Sequence, residues 1–501
     1  SKKRDRNEKR IEDKLKKIVG EPPVILDTSL TRKSVRQIKL YLNSKGYFNS
    51  SVRDSIVYRR KPARLPAGKT ASRGGKAKVY YLINPGFSRY TIRNITYSIK
   101  DTNIYSIVLS EEYAGSNSLL QPGNHYDEKI LNEERERITK ILKNEGYYYF
   151  TKEYLSYIFD SALGTQQVDI TLSIRNLKTQ VSSDSIIATN HNRYRINNVY
   201  VKTNYSSKQP NTSADTILFN DFYFTGISPS RFKNQTITRK IFIRKGDFFQ
   251  INKLEDTYKH LAGLQAFKFI NIKFNDAPST RDKHLLDCII QLTPTPRQSF
   301  SIETEGTHSS GNLGVAGNII YRNKNVFKGA EIFELRLKGA FEAQKTYLTP
   351  EDKPGEPLLN TVEIGAEAKL YIPKFFLPVR AEKIPKRFDP KTTLTMAYNY
   401  QTRTDYTRSI AKISFGYDWK ETNYKTHIFN PVEVNLVKMI KVSDNISQNP
   451  NTFISNSFTD HFTTALRYTF IFNNQQIKKN INFIFLYSLP GNSKQQLCVL
   501  I

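Results

Sequence analysis

Val362-Glu363-Ile364-Gly365-Ala366-Glu367-Ala368-Lys369-Leu370-Tyr371-Ile372 repeats with a period of two: Val362, Ile364, Ala366, Ala368, Leu370 and Ile372 fall on one side, Glu363, Glu367 and Lys369 on the other. Successive side chains of a strand point to opposite faces, so this stretch predicts a strand with one greasy and one charged face. The pattern recurs on both sides of it. Over residues 332–341, Phe333, Leu335, Leu337 and Phe341 oppose Glu334, Arg336 and Lys338. Leu394, Met396, Tyr398 and Tyr400 oppose Thr395, Asn399 and Gln401, and Ala411, Ile413, Phe415, Tyr417 and Trp419 oppose Lys412, Ser414 and Asp418. Phe462, Thr464, Leu466, Tyr468, Phe470 and Phe472 make a further face, and Phe483, Phe485 and Tyr487 another. Segments of about ten residues are what a tilted strand needs to cross a bilayer, whereas strands of soluble sheets average about five or six. Apolar-out, charged-in alternation of that length predicts a lipid-embedded barrel with a wet lumen, because backbone groups in lipid must all be paired and a closed sheet achieves this without helices. Rings gather near the strand ends, as interface girdles do. The alternative is a large soluble antiparallel sheet with one buried face. On the barrel reading, Glu303, Glu305, Glu331, Glu334, Glu363 and Glu367 line water.

Composition agrees with a folded, β-rich chain. In 501 residues there are 76 Lys plus Arg against 46 Asp plus Glu, a formal charge of +30, with 38% hydrophobic residues and 12% aromatics. Mean hydropathy is −0.53, and no run approaches the roughly 20 apolar residues of a membrane helix, which excludes a helical membrane bundle. Thirty Tyr and 30 Phe exclude a disordered polar chain. The charge is uneven: residues 1–100 hold 26 basic and 7 acidic residues, 26 − 7 = +19. That face suits anionic headgroups, an acidic partner, nucleic-acid phosphate, or plain solvation. Cys288 and Cys498 form neither a disulfide framework nor a zinc pattern. The first residues, Ser1 to Arg6, are charged and show no export signal, as in the interior of a longer protein.

Upstream of Pro294-Thr295-Pro296 the periodicity is mixed. Ile11, Leu15, Ile18 and Val19 predict a helix over residues 7–18, and Val35, Ile38 and Leu42 another over 34–43, ended by Gly46 as a left-handed cap. Strands follow at 51–58 and 77–83. The order returns downstream: a strand at 90–99, a short helix at 105–110, a long helix at 129–144, and strands at 147–157 and 167–174. A third copy has a strand at 194–201, a helix at 251–265, and strands at 266–272 and 285–292. Tyr41-Leu42-Asn43-Ser44-Lys45-Gly46-Tyr47-Phe48 parallels Ile141-Leu142-Lys143-Asn144-Glu145-Gly146-Tyr147-Tyr148 at an offset of 100 residues, 141 − 41. Repetition at that spacing predicts an array of small βααββ modules rather than one large α/β enzyme. The expected divisions are modules at 1–85 (its first strand missing), 86–176 and 190–296, a Ser- and Asn-rich linker at 181–192, and the barrel region at 297–501.

Catalytic patterns are weak. Ala63-Arg64-Leu65-Pro66-Ala67-Gly68-Lys69-Thr70 resembles a phosphate loop, but Ala63 replaces the first glycine and no helix pattern follows. His125, His191, His260, His284, His308, His427 and His461 are scattered without ligand spacing, and Gly311 to Gly317 has the wrong glycine spacing for a dinucleotide fingerprint. No cofactor, metal or enzymatic role is expected.

Modules of this type running into a barrel resemble the outer-membrane barrel-assembly family, the BamA/TamA group of bacterial surface antigen proteins, over essentially the whole chain. The resemblance rests on Lys45-Gly46-Tyr47-Phe48 and Glu145-Gly146-Tyr147-Tyr148, similar to the family's POTRA modules. It rests also on Asn323-Lys324-Asn325-Val326-Phe327-Lys328-Gly329-Ala330-Glu331, similar to the turn after the early barrel strands. Gly20-Glu21-Pro22-Pro23-Val24 after the basic start resembles the lipoprotein-type TamL branch. Two departures stand out: the nine candidate strands over 298–488 make roughly half of the family's barrel, and Leu489-Pro490-Gly491 breaks the pattern before Cys498-Val499-Leu500-Ile501. The chain therefore reads as a fragment. The resemblance implies a non-enzymatic assembly or translocation factor in the outer membrane, with residues 1–296 in the periplasm. Its partners would be unfolded outer-membrane client proteins, the lipid bilayer and an inner-membrane TamB-like protein, with no nucleic acid. Clients would bind by strand addition, and the first barrel strand, 298–305, would form one side of a weak seam, with Phe300 and Ile302 on one face and Glu303 on the other. A basic nucleic-acid-binding protein and a passive porin or receptor are the alternatives.

Overall fold

The computed structural model describes residues 26–59, 76–86, 88–110, 112–113, 117–161, 165–182, 185–206, 215–225, 231–278, 284–309, 312–343, 360–376, 385–447, 458–473, 483–488 and 498–500. The expected helix at 7–18, the phosphate-loop-like stretch and the Gly20 to Val24 motif lie outside them. Close contacts group the chain into two units, residues 1–143 with 149–192, and residues 144–148 with 193–501.

In the first unit, helix Thr28–Ser44 starts where the Asp27 carboxylate accepts the Ser29 N–H at 2.7 Å, satisfying a donor that the first turn leaves free. Strands β1 (Ser51–Arg59) and β2 (Lys76–Asn84) pair antiparallel. Next come β3 (Thr91–Ile99), helices Thr102–Val108 and Glu128–Asn144, β4 (Leu155–Asp160) and β5 (Gln167–Ile174). They form a three-stranded sheet in the order β3-β5-β4, with β3 parallel and β4 antiparallel to β5. Val168, Ile170, Leu172 and Ile174 of β5 are buried, while its intervening Gln167, Asp169, Thr171 and Ser173 are not. Each buried aliphatic side chain contributes roughly 1.5–3 kcal/mol. The strand foreseen at 147–157 begins only at Leu155, because residues 147–150 are a turn whose Tyr147 and Phe150 are buried. Part of the linker foreseen at 181–192 instead forms a hairpin of β6 (Leu177–Ser182) and β7 (Ser185–Thr189).

The second unit opens with β8 (Arg195–Lys202), β9 (Thr216–Phe219), β10 (Phe222–Thr225), helices Asn234–Thr238 and Ile251–Gly263, β11 (Phe267–Asp276) and β12 (Leu285–Pro294). Their sheet runs β11-β12-β8-β10-β9, and its core includes Val199, Phe224, Ile237, Leu261, Cys288 and Ile290. The β9–β10 hairpin and the short helix were not foreseen.

The rest is a single ten-stranded sheet. It contains β13 (Gln298–Ser309), β14 (Asn312–Lys324), β15 (Ile332–Ala343), β16 (Thr361–Ile372), β17 (Lys391–Thr402), β18 (Tyr406–Lys420), β19 (Lys425–Val442), β20 (His461–Asn473), β21 (Phe483–Ser488) and β22 (Cys498–Leu500). Each strand pairs antiparallel with the next. β13 and β22 each have one neighbour, so among the described residues the sheet is open and no closed barrel forms.

Gly46 and Gly146 have φ of +87° and +103°, values a Cβ disfavours. A Cβ on Gly146 would also meet Phe248 Cδ1 at 3.2 Å and Arg193 Cβ at 3.4 Å, whereas one on Gly246 (φ +82°) has nothing within 4 Å. Thermal unfolding is expected to show Gly146→Ala losing about 1–3 kcal/mol and Gly246→Ala losing less, the difference measuring the crowding.

Candidate functional surfaces: two sheet faces and a repeated joint

The two faces of β13–β20 are inverted relative to a soluble sheet. Phe341 of β15, Ile364 of β16, Met396 and Tyr398 of β17, Ile413 of β18, Leu436 of β19 and Phe462 of β20 are exposed. The opposite face holds the charges, paired mostly across strands. Arg322 meets Glu334 at 2.6 Å, and Arg336 lies 3.5 Å from Glu303 and 3.7 Å from Glu334. Lys338 meets Glu363 at 2.8 Å, and Glu433 takes both Lys412 at 2.8 Å and Arg467 at 3.0 Å. Glu334 and Glu433 are 7% and 4% exposed, whereas Met396 is 51% exposed. Water normally drives the reverse arrangement. An exposed apolar area this broad marks a surface made for another apolar phase. No described helix is long and apolar enough to cross a membrane, which says nothing of crossing by strands.

The predicted seam residues lie on β13. Phe300 and Ile302 are 72% and 78% exposed, with the Phe300 ring 5.0 Å from that of Tyr321. Glu303, on the other face, reaches Arg336. As an edge strand among the described residues, β13 has a neighbouring strand on one side only, which leaves half of its backbone groups unmatched by the described sheet.

Glu331 departs from its expected place among the water-lining carboxylates. It is buried, and its carboxylate accepts the N–H groups of Phe327 at 3.1 Å and Gly329 at 2.9 Å. It thereby folds the turn between β14 and β15, in which Asn325, Lys328 and Ala330 all have positive φ. Asn325 accepts from the Ala330 N–H at 3.0 Å and donates to the Arg231 carbonyl at 2.7 Å. The Lys233 N–H donates to the Lys328 carbonyl at 2.7 Å, and Ala330 joins the core beneath β8 and β12. This turn thus pins the ten-stranded sheet to the α/β layer before it. A second pin lies in the β16–β17 connection. Asp389, itself left-handed, binds the buried Lys240 ammonium, and Lys386 donates to the carbonyls of Thr238 and Ile241, each at 3.2 Å. The third is Lys259 to Asn423 of the β18–β19 turn, 2.7 Å. Helix Ile251–Gly263 contributes His260, whose imidazole burial pushes below its ordinary pKa.

The repeated Gly-aromatic motif proves to be one half of a joint built twice. In the first unit Gly46 accepts the Tyr90 N–H at 3.0 Å, and Arg89 Nε donates to the Lys45 carbonyl at 2.5 Å. Tyr90 then accepts the Tyr126 N–H at 2.9 Å, and Phe48 packs edge-on against the rings of Tyr90 and Tyr126. In the second unit Gly146 accepts from Tyr194 at 2.8 Å, Arg193 Nε donates to the Glu145 carbonyl at 2.5 Å, and Tyr194 accepts from Phe249 at 2.9 Å. Tyr148 packs against Tyr194 and Phe249. Even the supporting turns match, with Gly123 at φ +87° donating to Ile92 and Gly246 at φ +82° donating to Ile196. The second half of the joint, Arg89-Tyr90-Thr91-Ile92 and Arg193-Tyr194-Arg195-Ile196, escaped sequence analysis although the Arg-Tyr-x-Ile repeat stands in the sequence. Among the described residues no group of three or more His, Cys, Asp or Glu is arranged to hold a metal.

No protein-family model matches the chain, and no curated protein matches it. Among solved structures it is similar to BamA from Haemophilus ducreyi lacking POTRA domains 1-3, at 11% identity and a TM-score of 0.41 over 80% of this chain. It is also similar to CdiB from Acinetobacter baumannii, at 9% identity and a TM-score of 0.27 over 94% of this chain and 79% of that one. A third likeness is to POTRA1-3 of the periplasmic domain of Omp85 from Anabaena, at 12% identity and a TM-score of 0.18 over 55% of this chain and 85% of that one. The chain spans 64% of the BamA structure's length.

Proposed function

We propose that this chain is part of an outer-membrane assembly or translocation factor of the BamA/TamA type, on the TamL-like branch. The observation that carries the reading is the inverted sheet: exposed apolar side chains on one face and paired charges on the other, over strands of 12 to 18 residues from β13 to β20. A lipid exterior with a wet interior accounts for both faces at once. The twice-built joint supports an array of POTRA-like βααββ modules, which in this reading stand in the periplasm. Unfolded client proteins add a strand to an exposed sheet edge, where backbone hydrogen bonds give affinity without sequence selectivity. The edge strand β13, with Phe300, Ile302 and Glu303, forms one side of a seam through which clients pass into the bilayer. An inner-membrane TamB-like protein is the natural partner of such an array. Nucleic acid, cofactor and catalysis have no part in the reading.

Fractionation tests it. Expressed in a bacterial host, the protein is expected in the membrane pellet, released by detergent and not by high salt. Recovery as a monodisperse species in surfactant-free buffer would sink the proposal.

A further inference from the structure

Three segments far apart in sequence line one cleft of about 360 Å³ in the second unit. Asn220 and Asp221, both left-handed, turn the β9–β10 hairpin. Gln235, Thr238, Arg239, Arg244 and Lys245 come from the short helix and the stretch after it, and Lys386 from the β16–β17 connection. Four of these residues are cations and only Asp221 is acidic. The nearby carboxylate of Asp389 is taken by Lys240 and, at 3.9 Å, by Lys391. Lys245 leans on the neutral amide of Asn198 at 3.0 Å, and Lys386 is held by two backbone carbonyls. Among the described residues neither Arg239 nor Arg244 has a carboxylate partner. Lys386 sits below the ordinary lysine pKa, first through burial and then through the charges of Arg244 and Arg239.

Four like charges held together with a single carboxylate among them are unfavourable, and the fold fixes these in place. We propose that this cleft binds a phosphate group. A phosphate carries about −1.5 to −2 charges near neutrality and three strong acceptor oxygens. Guanidinium forks match it in two-point geometry, lysine ammoniums match it as point charges, and the amides of Gln235 and Asn220 supply neutral donors. The volume is at the small end of ligand sites. Among the described residues Phe222 is the one ring in the lining, and it belongs to the core rather than offering a face for stacking a base. The described lining thus favours a phosphate or a simple phosphate ester over a nucleotide. A lipid headgroup and a soluble phosphate share this chemistry. The inference stands on the cleft alone and survives failure of the membrane reading.

The test uses the full chain in neutral detergent at low salt, titrated calorimetrically with inorganic phosphate and separately with monomeric dihexanoyl phosphatidic acid. Saturable binding of one equivalent is expected for at least one probe. Arg239→Gln with Arg244→Gln is expected to weaken it at least tenfold. Lys233→Gln with Lys268→Gln removes equal charge outside the cleft and is expected to stay within twofold. The exposed single change Arg244→Gln, expected to weaken binding about threefold or more, keeps the test alive if the double variant misfolds. Tighter binding of the lipid makes a headgroup the source, and equal or tighter binding of inorganic phosphate makes it a soluble phosphate. Absence of saturable binding for both probes, or equal weakening in the two double variants, overturns the proposal.

Discussion

Met396→Arg is expected to cost about 2–4 kcal/mol of folding free energy in lipid vesicles, because on the membrane reading it drives a guanidinium into hydrocarbon midway along β17. The same change on a water-facing position would be worth less than about 0.5 kcal/mol, so the result separates the two readings of an exposed methionine. Urea titration of folding into vesicles measures it, with Met396→Leu as the control expected to be near neutral. An arginine tolerated as well as leucine would mean that this face meets water.

Asp389→Ala is expected to lose about 3–5 kcal/mol, since it strands the buried Lys240 ammonium without its carboxylate. Pairing Lys240→Met with Asp389→Asn, which removes both charges and keeps a residue that accepts the left-handed backbone, is expected to recover most of the loss. Thermal unfolding in detergent provides the comparison, and a double variant as unstable as Asp389→Ala would refute the ion-pair account. Burial alone would raise the Asp389 carboxyl, but the charge and hydrogen bond of Lys240, then Lys391 and His260, hold it below the ordinary value. A carboxylate depressed in the folded state stabilises above its unfolded pKa of about 3.9 and loses that contribution as pH falls through the lower folded value. His260, lowered by burial, begins to subtract stability earlier, below about pH 6.5, where the unfolded chain takes up a proton first.

The strands of the large sheet were legible because period-two alternation survives any tertiary context: Val362 to Ile372 is β16 within a single residue. Elements of four or five residues were not, since β9, β10 and the Asn234–Thr238 helix are too short to show a period. Tyr147 to Tyr154 misled because aromatic β-propensity reads as strand, whereas the left-handed Gly146 and burial of Tyr147 and Phe150 make a turn. Glu331 sits one step before an alternating run and so looked like part of it. Its role depends on three positive-φ residues around it, none of them glycine, which no pattern announces. The glycine half of the joint was visible at a constant offset of 100. The arginine half, offset by 193 − 89 = 104, lay out of phase with it.

The ion pairs on the charged face bear on strand register. Sliding a strand by two residues past its neighbour leaves every greasy side chain on the apolar face, so hydrophobicity alone cannot reject that error. It would separate Arg322 from Glu334, which stand directly opposite, whereas Lys338, Lys412 and Arg467 reach carboxylates two residues off their direct partners and lose them on a slip in one direction only. The Arg322–Glu334 rung thus acts as a key to alignment between β14 and β15, proofreading a stagger to which the apolar face is blind.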